Sequence, residues 1–147
     1  MKKGNEQIVV EYALAEPPAK VWRALTEPKL LAVWLMQNDI VPIVGHRFNF
    51  RAQPVGDWNG VVDCEVLEVV PERKLVYTWN GGSDKNLEFG HRIETTVTWT
   101  LEATTENGTR LTLVHHGFHP EDFAFRMMGQ GWKTKGADIE RALATMA

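Results

Sequence analysis

The sequence is short of cysteine, of long apolar runs and of surplus positive charge, and each shortage removes a class of function. A single cysteine, Cys64, allows neither an intrachain disulfide nor a metal site built from several thiolates. No stretch comes near the ~18 consecutive apolar residues of a membrane-spanning helix. The first residues, Met1-Lys2-Lys3-Gly4-Asn5-Glu6-Gln7, are charged and polar where a signal peptide needs an apolar centre. These absences predict a cytoplasmic protein without a membrane span. The 16 Lys and Arg residues are outnumbered by 19 Asp and Glu. No clustered basic face is visible, so nucleic acid is not an expected partner. Catalytic signatures are missing too. There is no G-x-S-x-G elbow, no Gly-rich phosphate loop followed by Lys-Ser/Thr, and no carboxylate pair at a forced spacing. The sequence establishes no enzyme and implies no cofactor.

What is plentiful is aromatic: six Trp and six Phe among 147 residues. That length predicts a single domain over residues 1–147 with one sizeable core. Apolar alternation over 8–15 reads as a strand, closed by Pro17-Pro18, which also pre-set a helix start. Val21, Trp22 and Leu25 follow at helical spacing. Thr26-Glu27-Pro28 repeats the signal, with Thr26 as cap, before a second short helix bearing Leu30, Leu31 and Trp34.

The period then changes. Strands are expected over 47–53, 60–70, 75–79, 97–101 and 111–116, with a polar loop from Asn80 to Gly90 and a hairpin turn at Asn107-Gly108. Residues 47–53 read as an edge strand able to pair across a dimer, so monomer and homodimer both stay open. From Asp122 the pattern is helical, with Trp132, Gly136, Ile139, Leu143 and Met146 on one stripe. Phe123 and Met127 extend that stripe upstream, while Gly129 and Gly131 leave open both a kink and a close helix–sheet approach. Strands segregated from helices in this order give α+β, an antiparallel sheet with one face covered by the last helix.

Several strings in that order carry a resemblance: Pro17-Pro18-Ala19-Lys20-Val21-Trp22-Arg23-Ala24-Leu25-Thr26 with Trp34, then Val44-Gly45-His46-Arg47-Phe48. They continue with Gly60 leading to Leu75-Val76-Tyr77-Thr78-Trp79, then Gly108-Thr109-Arg110-Leu111-Thr112-Leu113 and Gly131-Trp132. Over residues 7–146 the chain resembles the START-like superfamily (SRPBCC, polyketide cyclase or helix-grip). Within it the chain resembles the homologues of the activator of heat-shock protein 90 ATPase. The resemblance implies a curved sheet of about six strands, two short helices after the first strand, and a long C-terminal helix gripped by the sheet. It also implies a cavity between sheet and helix. One fold hosts many functions. The co-chaperone's second domain has no room in this length, so its ATPase stimulation is not carried over.

The residues say what would line such a cavity. Phe48, Phe50, Tyr77, Trp79, Trp99, Leu113 and His115 share the inward strand faces; Trp34, Phe123, Met127, Met128 and Trp132 come from helices. Rings and flexible Met suit a small hydrophobic or aromatic molecule. The same rings can equally fill the core themselves.

His115-His116-Gly117-Phe118-His119 invites a metal reading, which the spacing opposes. Neighbours on a strand point to opposite faces, and Gly117 and Pro120 argue against a helix joining His115 to His119. The expectation is no metal, with His115 inside and hydrogen-bonded and His116 and His119 at the surface. His115 is also the candidate acid or base of a cyclase-like or hydrolase-like reaction, with Tyr77 as a second polar tip. Cys64, between Val62 and Val66, reads as an inert core thiol. Three readings follow in order: a small-molecule binder, a protein-interaction module with a partner such as a chaperone, and an enzyme.

Overall fold

Pro18 and Pro28 each occupy the first turn of a helix, where a missing N–H costs nothing and a fixed φ favours the turn. They open α1 (Pro18–Thr26) and α2 (Pro28–Trp34), which follow the first strand β1 (Glu6–Leu14). Thr26 is not the cap of α2: its hydroxyl donates back to Trp22 O at 2.8 Å, and Glu27 takes the cap position. The rest of the chain runs β2 (Gln37–Asn38), β3 (Arg47–Arg51), β4 (Val61–Val70), β5 (Lys74–Gly81), β6 (Ile93–Ala103), β7 (Thr109–Phe118) and α3 (Phe123–Ala144). This computed structural model describes residues 4–54, 59–81, 93–120 and 122–146, without the side chains of Phe123 and Ala124. The loop expected over 80–90 falls, from residue 82 onward, outside the described residues, whereas Asn80 and Gly81 finish β5.

The strands form one antiparallel sheet in the order β1-β7-β6-β5-β4-β3-β2. Seven strands rather than about six result because β2 is only two residues, too short for alternation to announce it. β3 is therefore not the edge. Gln37 pairs with Arg51, Asn38 pairs with Phe50, and the Asn49 N–H donates to Asp39 Oδ1 at 3.1 Å. The expected strand also ends at Arg51 rather than residue 53. In β4 the register slips between Val66 and Glu68, and the bulge leaves Leu67 44% exposed.

One face of the sheet is dry. Tyr12, Phe48, Phe50, Leu75, Tyr77, Trp79, Val97, Trp99, Leu111 and Leu113 are all buried there, and α3 lies across it. Trp132, Ile139 and Leu143 of α3 are buried as the stripe predicts. Tyr12 fastens helix to sheet, donating its hydroxyl to Trp132 O while its ring approaches Gly136. A Cβ on Gly136 would meet Tyr12 Cδ1 at 3.3 Å, so glycine is what permits this approach.

The helix α3 runs unbroken through Gly129 and Gly131, and one expectation about it needs correction. Met127 is 56% exposed, because Phe125 and Met128 take the inner positions. The reason is angular: five residues back from Trp132, at about 100° each, turns a side chain some 140° away, whereas four and seven back stay on its side.

Candidate functional site

The inward rings pack on one another. Trp34 and Trp99 meet edge-to-face with centroids 5.8 Å apart, and Trp99 meets Trp132 in the same manner at 5.6 Å. Trp132 touches Trp79 at 5.7 Å, and Trp79 touches Phe50 at 5.1 Å. Phe48 lies 5.4 Å from both Phe50 and Tyr77. These are the tilted and perpendicular arrangements that the ring quadrupole favours. The polar edges are matched as well: Trp34 Nε1 donates to Ala24 O at 3.0 Å and Trp99 Nε1 to the Tyr77 hydroxyl at 3.0 Å. Burial pushes the Tyr77 phenol well above its ordinary value, the Trp99 bond opposing this in part.

His115 sits within this assembly with 0% exposure. Trp132 Nε1 donates to its Nδ1 at 3.1 Å. Its Nε2 lies 2.7 Å from Thr95 Oγ1, and that hydroxyl donates to Trp79 O at 2.6 Å. The indole can only donate and the threonine proton is used, so His115 carries its own proton on Nε2 and is neutral. Burial, aided by His116, lowers its pKa to about 3. Both nitrogens are occupied and no lone pair is offered to a substrate, an arrangement suited to holding Trp132 and Thr95 rather than to proton transfer. His116 is exposed and His119 half-buried.

Cys64 is buried, and burial, with the charges of Asp63 and Asp39, raises its thiol far from the reactive range. Among the described residues no group of three or more His, Cys, Asp or Glu is placed to hold a metal. Among the described residues no helix is long and apolar enough to cross a membrane.

The ring assembly meets the surface at a groove of about 290 Å³ between the end of α2 and α3. Leu35 and Met36 form one wall, Met127, Met128, Gly131 and Lys135 the other, and Trp79 and Trp132 the floor. Of the residues expected to line a cavity, Trp79, Met127, Met128 and Trp132 reach this groove. Trp34, Phe48, Phe50, Tyr77, Trp99, Leu113 and His115 lie behind it, packed in the core. The side chain of Phe123 lies outside the described residues.

Leu35, Met36 and Lys135 were missed. The first two follow the apolar face of α2 just past its end. Lys135 is three residues beyond Trp132 and so shares its side of the helix, although its charge reads as solvated surface. Lys135 Nζ donates to Trp34 O at 3.0 Å, closing the last carbonyl of α2.

A family model described as Activator of Hsp90 ATPase homolog 1-like protein matches residues 15–144. Among solved structures, protein MLL2253 from Mesorhizobium loti is 40% identical, with a TM-score of 0.82 over 97% of this chain and 99% of that one. Protein BH1534 from Bacillus halodurans is 26% identical, with a TM-score of 0.74 over 97% of this chain and 99% of that one. The Aha1 dimer from Colwellia psychrerythraea is 20% identical, with a TM-score of 0.74 over 95% and 97%, and shares the fold. No similar curated protein was found.

Proposed function

The chain belongs to the family of Activator of Hsp90 ATPase homolog 1-like proteins, and from that premise we propose that it binds a small apolar molecule in the groove between α2 and α3. One observation carries the reading. Three Met and two Trp side chains converge on a groove of about 290 Å³ beside the packed ring assembly. Unbranched thioethers adapt to varied shapes, and the indoles provide flat, rigid contact area. The volume stands at the lower end of the ~300–1,000 Å³ usual for small-molecule sites, so the ligand is about one or two rings in size.

The methionines supply the test. Of the five in the chain, Met36, Met127 and Met128 line the groove, while Met146 lies at the far end of α3. With methyl-labelled Met, a neutral bicyclic arene such as 2-naphthol should shift those three signals saturably and leave Met146 in place. Stationary signals throughout the titration would remove the proposal.

A second reading, a protein-interaction module, is favoured by a different surface. Ile43 and Val44 are 63% and 62% exposed on a turn joined to β4 by Gly45 N–H to Val66 O at 2.8 Å and Val66 N–H to His46 O at 3.0 Å. The bulged Leu67 adjoins it, giving an apolar knuckle of the kind that marks contact sites. Purified Hsp90 should bind the wild-type chain and lose Ile43→Asp; binding by neither protein would end this reading.

A further inference from the structure

Among the described residues that line the groove, Lys135 alone is ionisable. Its ammonium has three donors. One goes to Trp34 O at 3.0 Å, and Asp138 Oδ2 stands 3.8 Å away, beyond hydrogen-bond reach. Asp138 is also shared, because Arg141 holds its Oδ1. The positive charge at the rim is thus incompletely neutralised, and among the described residues no carboxylate lines the groove to complete it. The side chain keeps 28% of its surface in contact with solvent, with its head fixed by the α2 carbonyl rather than freely swinging. Apolar walls ending in one tethered cation are complementary to a molecule that is apolar along its body and negative at one end.

Resting on the groove reading above, we infer that the ligand is an amphipathic anion. Its apolar body is about the length of an eight-carbon chain or a small ring system and lies between the Met walls. Its carboxylate pairs with Lys135 Nζ.

Calorimetric titration with three probes of one chain length tests this: octanoate, 1-octanol and octylamine, at neutral pH and low salt. Octanoate should bind roughly fivefold more tightly than 1-octanol, the upper end of what a partly exposed ion pair contributes. Octylamine should be weakest. Added salt should narrow the gap. Lys135→Met should abolish the preference for octanoate, and Lys135→Arg should keep it. If the Met variant does not fold, the wild-type series and the Arg variant decide. Equal binding of octanoate and 1-octanol, or a preference that survives in Lys135→Met, overturns the inference. If 2-naphthol still shifts Met36 and Met128 in that case, the groove reading stands alone. If neither 2-naphthol nor any of the three chains binds, both fall.

Discussion

At the scale of single residues, His115 shows how a group suited to chemistry becomes a structural fixture. Its ring is neutral because two partners, the use of the Thr95 proton by Trp79 O and full burial leave no room for a second proton. The unfolded chain takes up that proton near pH 6.5, whereas the native one refuses it down to about pH 3. Stability from this group is therefore complete above pH 6.5 and falls as the pH drops towards 3, by up to about 1.4 kcal/mol per pH unit. Urea unfolding at a series of pH values should show that slope. His115→Gln should flatten it while costing about 1–3 kcal/mol at neutral pH through unpaired partners. Equal slopes in the two proteins would rule out the assignment. His115 was legible as an inward strand residue from alternation alone. Its partners were not, since Thr95 and Trp132 lie 20 and 17 positions away and only packing brings them near.

At the scale of elements, glycine separates α3 from β7. Gly131 lies inside α3 with open space where a Cβ would stand. Gly131→Ala should stabilise the protein by roughly 0.5–1 kcal/mol, read as a higher Tm, because a helix interior favours alanine. Gly117 in β7 has φ +107, and a Cβ there would meet Glu94 O at 3.1 Å. Gly117→Ala should cost about 2 kcal/mol or more. A rise in Tm for both variants would contradict this account of the two sites. The elements that sequence alone revealed are those with enough residues to show a period or a proline start signal: β1, β3 to β7, the short helices α1 and α2, and the Trp132–Leu143 stripe. β2 has two residues and the bulge at Leu67 one, so neither has a period to show. The upper stripe of α3 was misread for a different reason. Met127 and Met128 are equally apolar, and only the angle back to Trp132 tells them apart.

At the scale of the whole molecule, the ten elements of the described residues share one core, whose centre is β5, β6 and β7 with their rings. The α2–β2 segment and residues 125–131 of α3 rest on it through fewer buried groups. All of residues 125–131 are exposed or half-buried, Phe125 and Met128 among the half-buried ones. Hydrogen exchange should follow that gradient, with amides of β6 and β7 protected to near the global unfolding free energy and those of 125–131 opening well below it. Uniform protection along α3 would contradict it. Whether the rings would enclose a space or fill one was not legible, because alternation assigns faces and says nothing about volume. The packed answer has a further effect. Trp34, Trp99, Trp132 and Trp79 form a chain of indoles with successive centroids 5.8, 5.6 and 5.7 Å apart. At such separations excited states are shared, so light absorbed at any of the four is passed among them, Trp79 at the groove included. The folded chain should therefore give an exciton couplet at the strong indole band in far-ultraviolet circular dichroism, and a quencher seated against Trp79 alone would darken indoles it never touches.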